Sequence, residues 1–280
     1  MRLERKIDSM CRKTAPDAKR GDHAWKTEMM SVRVTELAEV GVTVLSRWIF
    51  NCYLVHDGGD GRALIVDPGL PSTTAAAIAM IQAAGGPTPV VVATHGHVDH
   101  VGGLPDLHAF GAQVCLPRRI RDYLAGETPR GPGLPEIAKV RSILREQPWD
   151  FGSVFEIART GRHTGVGGGT ARFPNGADHW LAHGDEVPGA PAWQVIQVPG
   201  HTDDSLALWN PTTGVLLSGD AVLSRKGRAW FTPEVCDPES AALTEEQLRM
   251  LPVGHLLPGH GQPVVGNGLM DRALSPQQRP

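Results

Sequence analysis

One short segment constrains this chain more than any other. Residues 95–100 read His-Gly-His-Val-Asp-His, which places three imidazoles and one carboxylate within six positions. The run before them, residues 89–94, is apolar and rich in β-branched side chains, long enough for a buried strand and too short for a helix. The polar groups therefore lie on a loop at a strand end. Imidazole and carboxylate are ligands that zinc takes in proteins, so the segment predicts a metal site that uses His95, His97, Asp99 and His100.

The rest of the chain alternates between strand and helix patterns. Strands are predicted over residues 42–46, 50–56, 63–66, 113–116, 193–198, 205–209, 215–217 and 255–257. Helices are predicted over residues 72–84 with Ser72 as N-cap, near 105–110, 118–125 and 135–146, and over 238–250 with Asp237 as N-cap and Pro238 at the first position. Residues 147–184 are glycine-rich and are interpreted as an irregular loop or insertion. This alternation predicts a layered α/β (α+β) fold.

The composition is that of a folded domain. Of 280 residues, 41% are hydrophobic and 20% are charged, with 33 glycines and 23 prolines. This balance lacks the charge excess that marks disorder. We expect a basic N-terminal tail over residues 1–30, followed by a single domain over residues 31–280 with an insertion around residues 118–184.

The charges and cysteines restrict the partners and the compartment. The formal net charge is −3 and the basic residues are scattered, so no surface suited to nucleic acid stands out. No apolar run approaches the roughly 20 residues that cross a membrane. The cysteines at 11, 52, 115 and 236 are far apart, which favours free thiols in a reducing compartment. We therefore expect a cytoplasmic protein that acts on a small molecule.

The histidine segment also resembles the signature of the metallo-β-lactamase-fold superfamily. Four further positions follow that family's pattern in order: Asp67 after an early strand, His201 in Pro-Gly-His-Thr, Asp220 in Ser-Gly-Asp, and His260 in Pro-Gly-His-Gly. The match spans nearly all of residues 32–265. The resemblance implies a four-layer αββα sandwich, with the site on loops at one edge of the sheets.

The resemblance also implies which residues bind each metal. His95, His97 and His201 would hold one metal, Asp99, His100 and His260 would hold a second, and Asp220 would bridge the two. Asp67 would support a ligand from behind. Two zinc ions are expected, although such sites also accept iron, manganese or cobalt. A hydroxide shared by the metals would attack a carbonyl carbon, and Asp99 would accept and pass on the proton.

The substrate stays open at this level. Glyoxalase II-like thioesterases and acyl-homoserine-lactone lactonases resemble this chain in having all seven ligand positions, which favours a thioester, lactone or ester. The lactonases carry a tyrosine three residues after the bridging aspartate, where this chain has Leu223. Class B β-lactamases generally lack the bridging aspartate, so amide hydrolysis of the β-lactamase type is kept only as a weaker alternative. A mononuclear iron oxidoreductase that resembles persulfide dioxygenases is a second alternative, and a nuclease is disfavoured by the charge.

The segment between His100 and His201 holds five aromatic residues among flexible glycines. We expect part of this segment to cover the metal cleft and to shape an apolar pocket. The alternative is an insertion that lies at the periphery or forms a dimer. The five residues are Trp149, Phe151, Phe155, Phe173 and Trp180.

Overall fold

The computed structural model describes residues 32–278, so the tail expected at residues 1–30 lies outside the described residues. The first sheet contains β1 (Arg33–Leu37), β2 (Val42–Arg47), β3 (Phe50–Val55), β4 (Leu64–Val66), β5 (Val90–Val92), β6 (Gln113–Pro117) and β9 (His179–Leu181). These strands are neighbours in that order. Strands β1 to β4 run antiparallel, whereas β4, β5, β6 and β9 run parallel to one another.

The second sheet contains β10 (Glu186–Val187), β11 (Ala190–Gln197), β12 (Leu206–Asn210), β13 (Val215–Gly219), β16 (His255–Pro258) and β17 (Val264–Val265). Its only parallel pair among the described strands is β13 with β16. Two hairpins complete the strands: β7 (Gly165–Gly167) with β8 (Thr170–Arg172), and β14 (Val222–Arg225) with β15 (Arg228–Phe231).

Seven helices connect the strands of the described part of the chain. They are α1 (Pro71–Ala84), α2 (Val98–Val101), α3 (Leu104–Phe110), α4 (Ile120–Leu124), α5 (Leu134–Ile137), α6 (Phe151–Thr160) and α7 (Pro238–Arg249). The expected start of α7 is confirmed, because the Asp237 carboxylate accepts a hydrogen bond from the Ser240 amide at 3.1 Å. Within residues 32–278, no helix has the length and apolar character needed to cross a membrane.

Three layers of buried side chains hold the sheets and helices together. Val44 and Leu45 are neighbours on β2 and point to opposite faces. Val44 belongs to a cluster that joins the two sheets, whereas Leu45 packs in the cluster that contains Ile81 of α1. On the far side, Leu216 of β13 packs in the cluster that contains Leu248 of α7. The order of layers is therefore helix, sheet, sheet, helix, which confirms the αββα sandwich.

Ser72 does not cap α1, contrary to the prediction. The helix begins one residue earlier, at Pro71, and Leu70 is its N-cap residue without a side-chain cap. Proline is suited to the first helical position because no intrahelical partner exists there for an amide hydrogen. The Ser72 hydroxyl instead donates to Glu156 Oε2 at 2.9 Å, so a tertiary contact takes the place of the cap.

Two predictions for the middle of the chain are also wrong in their local structure. The single helix expected over residues 135–146 is broken into α5 and two short 3₁₀ turns, Ala138–Val140 and Ile143–Arg145. The irregular loop expected over residues 147–184 contains α6, the β7–β8 hairpin and β9. Strand β9 extends the first sheet beside β6, so pairing with an existing edge organises a segment whose glycines alone favour loops.

Candidate metal centre

Parallel strand pairs in both sheets deliver the candidate ligands to one edge. Asp67 follows β4 and His95 lies shortly after β5, and these two strands are parallel. Asp220 follows β13 and His260 lies just beyond β16, which are also parallel. Because parallel strands end at the same edge of a sheet, both loops of each pair meet there. His201 joins them from the loop between β11 and β12.

Three imidazoles converge at the first half of the site. His97 Nδ1 lies 3.0 Å from His95 Nε2 and 3.2 Å from His201 Nε2. His201 Nδ1 donates to the Glu234 carbonyl at 2.7 Å, so Nε2 is the ring nitrogen that faces the other imidazoles. One imidazole nitrogen cannot satisfy two others, so the arrangement has the donor set of a metal site rather than of a hydrogen-bond network.

Two imidazoles and a carboxylate form the second half. His260 Nε2 lies 3.3 Å from Asp99 Oδ2, and His100 Nε2 lies 3.8 Å from the same oxygen. Asp220 lies between the halves: its Oδ1 is 3.5 Å from His100 Nε2, and its Oδ2 is 3.5 Å from His201 Nε2 and 3.2 Å from His260 Nε2. The structure thus brings all seven predicted ligand residues together.

The residues present fit divalent metal ions. Three groups have donor atoms close enough to share an ion: His95, His97 and His201; His95, His100 and Asp220; Asp99, His100 and His260. His100 Nε2 and Asp220 Oδ1 are buried without a hydrogen-bond partner. An unsatisfied buried polar atom is costly, and a cation between such atoms removes that cost.

Burial and nearby charges shift the pKa values of four histidines, in opposite directions in the two halves of the centre. Burial lowers the pKa of His95 and lowers that of His97 to about 4, with the neighbouring imidazoles acting in the same direction. Burial opposes charge on His100 and His260 as well, but nearby carboxylates raise the pKa of His100 well above its usual range and that of His260 to about 10. His95 and His97 therefore offer neutral nitrogen ligands, and the second half attracts positive charge.

Asp67 supports the site from behind. Its Oδ2 lies 2.9 Å from His100 Nδ1, and the carboxylate accepts hydrogen bonds from the amide and hydroxyl of Thr94 at 2.7 and 2.9 Å. The His100 ring is thereby oriented with Nε2 towards Asp99 and Asp220. A carboxylate that orients a histidine in this way is a common partner of metal-ligating imidazoles.

Two contacts to Gly96 were not predicted from the sequence. The buried Asp204 carboxylate accepts a hydrogen bond from the Gly96 amide at 2.7 Å, and the Gly96 carbonyl accepts one from the Val166 amide at 2.6 Å. Gly96 is the residue between His95 and His97, so both contacts fix the loop that carries these rings. An acidic residue and a glycine-rich hairpin gave no signal for this role, because both are typical of turns.

One side of the centre remains partly open. His97, Asp99 and His260 are half-buried, whereas His95, His100, His201 and Asp220 are buried. The loop after α4 approaches the open side, since a Cβ atom on Gly131 would stand 3.4 Å from His97 Nε2. These three residues therefore line the most accessible side of the centre.

Comparison with known proteins decides the family. A sequence profile described as "Metallo-beta-lactamase superfamily" matches residues 47–260, which contain every predicted ligand. The chain belongs to this superfamily. The resemblance seen in the sequence is thus confirmed, and with it the metal-dependent character of the centre.

Individual relatives of this superfamily member are distant. The chain is 24% identical over 255 residues to a protein named "Probable metallo-hydrolase YflN" from Bacillus subtilis, covering 82% of this chain and 87% of that protein. It is 29% identical over 171 residues to the hydroxyacylglutathione hydrolase of Thermosynechococcus vestitus, covering 61% of this chain and 48% of that enzyme. Its fold is similar to that of a metallo-beta-lactamase from Pontibacter korlensis, with a TM-score of 0.56 and 17% identity over 86% of this chain and 96% of the other.

Proposed function

We propose that this protein is a dinuclear metal-dependent hydrolase that cleaves the ester, thioester or lactone bond of a small molecule. The observation that carries the proposal is the position of Asp220. Its two carboxylate oxygens reach histidines of both halves of the centre, at 3.2 to 3.5 Å. A single carboxylate shared by two sets of ligands is suited to a pair of ions rather than to one.

Each metal ion would have its own set of ligands. His95, His97 and His201 would hold one ion, Asp99, His100 and His260 the other, and Asp220 would contact both. When bound, a pair of divalent ions lowers the pKa of a coordinated water towards neutrality and polarises a carbonyl oxygen. We propose zinc, because the ligands are nitrogen and carboxylate donors at loops fixed by a rigid sheet edge.

Asp99 is suited to proton transfer. It is half-buried on the open side, and His100 and His260 lower the pKa of its carboxyl even though burial opposes ionisation. An ionised carboxylate at the mouth can take a proton from the attacking water and release it to the leaving oxygen or sulfur. The net reaction adds water across the bond, so that a carboxylic acid and an alcohol or thiol result.

The free cysteines support a reducing compartment for this enzyme. Cys52 and Cys115 are buried free thiols, and Cys236 is a half-buried free thiol. Free thiols of this kind suit a cytoplasmic enzyme. The relative that is named hydroxyacylglutathione hydrolase supports the inclusion of thioesters among the substrates.

A substrate panel tests the proposal. Zinc-loaded protein would be assayed against aryl esters, thioesters, lactones and a chromogenic cephalosporin, in parallel with Asp99→Asn. We expect turnover of at least one ester, thioester or lactone, and a loss of about 100-fold or more in the variant. Asp106→Asn, on the exposed first turn of α3, is the control and should retain full activity.

Two outcomes would contradict the proposal. Turnover of the cephalosporin alone would assign the amide hydrolase instead. One iron per chain together with oxygen consumption on a persulfide substrate would assign the oxidoreductase.

A further inference from the structure

The five aromatic residues that were expected to shape an apolar pocket at the centre do not come together. Phe173 and Trp180 pack in the buried cluster between the first sheet and its helices. The other three are exposed on the surface: Trp149, Phe151 and Phe155. The segment between His100 and His201 instead contacts the loop that carries His201 through α4.

Asp203 makes this contact. It lies two residues after His201, within residues 198–205 between β11 and β12, which we call the His201 loop. Its Oδ1 accepts a hydrogen bond from the Tyr123 hydroxyl, and its Oδ2 accepts one from Arg119 Nε at 3.1 Å. Arg119 and Tyr123 are four residues apart, so they lie on the same face of α4. Both carboxylate oxygens are therefore held by one turn of helix.

The Tyr123 side of the contact is enclosed. Tyr123 is 4% exposed and packs in the same buried cluster as Ile120. Burial raises the pKa of the Tyr123 phenol, and the carboxylates of Asp204 and Asp203 raise it further. The hydroxyl therefore stays protonated and donates to Asp203. A hydrogen bond to an ionised carboxylate is stronger than one between neutral groups, which makes this contact suited to holding a loop in place.

The other end of the His201 loop is fixed against α7. Gly200, directly before His201, has a φ of 139°, and a Cβ atom there would stand 2.7 Å from the backbone of Ala241 in α7. The Gly200 carbonyl accepts a hydrogen bond from the Cys236 amide at 2.8 Å. The chain before His201 thus has no room to move towards α7, and the chain after it is tied to α4 by Asp203.

Two adjacent carboxylates hold the His201 loop from different directions. Asp204 accepts the hydrogen bond from the Gly96 amide at 2.7 Å, which ties the loop to the residues around His97. Asp203 ties it to α4. His201 Nε2 lies 3.2 Å from His97 Nδ1, so a shift of the loop would change the spacing of these two ligands.

We propose that Tyr123 is a positioning residue that sets His201 as a metal ligand by holding Asp203. This inference rests on the metal centre of the proposed hydrolase. The Tyr123 hydroxyl contacts the carboxylate and not the imidazole, so it acts through the loop. Without the hydroxyl, the loop would have to be ordered when the ion binds, and the cost of that ordering lowers affinity.

Tyr123→Phe tests the proposal, because it removes one oxygen and keeps the buried ring. In competition with a chromogenic chelator, we expect one zinc equivalent to bind about tenfold or more weakly than in wild type. Cobalt(II) can replace zinc at such ligands, and its visible absorption, which depends on the geometry of the ligands, should change as well. Asp203→Ala should reproduce both effects. Asp203→Asn keeps an oxygen that can accept from Tyr123 and should lie closer to wild type.

Asp122→Asn is the matched control. Asp122 is half-exposed and pairs with the same Arg119, at 2.9 Å, but it has no contact with Asp203 among the described residues. This variant should keep both zinc affinities and the cobalt spectrum of the wild type. Equal losses in Asp122→Asn and Tyr123→Phe would overturn the proposal, because the contacts would then only stabilise α4.

The metal measurements separate this proposal from the hydrolase proposal, since they need no substrate. Wild-type zinc affinities and a wild-type cobalt spectrum in folded Tyr123→Phe would overturn the positioning role, whatever the protein hydrolyses. If the wild type cleaves no ester, thioester or lactone but zinc still binds more weakly to Tyr123→Phe, the hydrolase proposal fails and the positioning role is supported.

Discussion

The carboxylate of Asp67 and the imidazole of His100 are in direct contact, with 2.9 Å between Oδ2 and Nδ1 and 1% of each side chain exposed. Asp67 adopts a left-handed backbone conformation, with φ of 55°. Such a conformation is costly for a residue other than glycine and persists where the surroundings hold it. Here two hydrogen bonds from Thr94 do so. The strained turn after β4 thereby points a carboxylate at a ligand of the second half of the centre.

Replacing Asp67 tests its supporting role. Asparagine tolerates the left-handed conformation but removes the charge that faces His100 Nδ1. In Asp67→Asn we expect the affinity for one of two zinc equivalents to fall about 10- to 100-fold, while the other equivalent binds as in wild type. Competition with a chromogenic chelator resolves the two equivalents. Two wild-type affinities in the folded variant would show that Asp67 only shapes its turn.

Asp204 is expected to position the loop that carries His95 and His97, in the first half of the centre. Asp204→Ala leaves the Gly96 amide without its buried acceptor, which costs about 1 to 3 kcal/mol of unfolding free energy. It should also weaken the zinc equivalent held by His95, His97 and His201. Asp204→Asn keeps an oxygen that can accept the same hydrogen bond and should restore most of both losses. If the alanine and asparagine variants behave alike, the hydrogen bond is not what positions the loop.

The β7–β8 hairpin makes a separate contact with the same loop. A Cβ atom added to Gly96 would stand 2.5 Å from Cγ2 of Val166, so Gly96→Ala should push the hairpin away and lower the zinc affinity. Removing the opposing methyl groups in Gly96→Ala/Val166→Ala should relieve part of the clash. A double-mutant cycle on thermal stability measures this coupling. Additive effects of the two substitutions would contradict the packing described here.

The ligands could be predicted from the sequence because they are metal-binding side chains in short motifs, several of which directly follow a short apolar strand. His95 follows such a run, and Asp220 and His260 do the same in the second sheet. The layered fold followed from the alternation of strand and helix patterns. These motifs are local in the sequence. The pairing of parallel strands then brings the ligands to one edge of the sheets.

The supporting contacts could not be predicted, because they join residues far apart in sequence. The local sequence predicts Ser72 as a helix cap, but its hydroxyl donates a hydrogen bond to Glu156, 84 positions later. Asp204 is typical of a turn in the local sequence, but its carboxylate accepts a hydrogen bond from the amide of Gly96, 108 positions away. Trp48, in the turn between β2 and β3, likewise contacts the ring of Trp149, which lies just before α6. Local propensity carries no information on which distant group will be the partner.

Glu156 tests how firmly the segment around α6 is fixed. It pairs with Arg47 and accepts hydrogen bonds from the amide and hydroxyl of Ser72 at 3.1 and 2.9 Å. Removing one member of a buried ion pair typically costs about 3 to 5 kcal/mol, so Glu156→Ala should lower the free energy of unfolding in urea by that order. Glu136→Ala breaks a surface pair with Lys139 at 3.8 Å and should cost less than about 1 kcal/mol. Equal effects of the two variants would mean that the buried pair adds no stability.

The number of metal ions per chain tests the central claim most directly. Native mass spectrometry of protein purified with zinc, alongside Asp220→Ala, counts the bound ions without any assumption about the substrate. The shared position of Asp220 predicts two ions per wild-type chain and loss of at least one in the variant. A single ion per wild-type chain at saturating zinc would contradict the dinuclear centre.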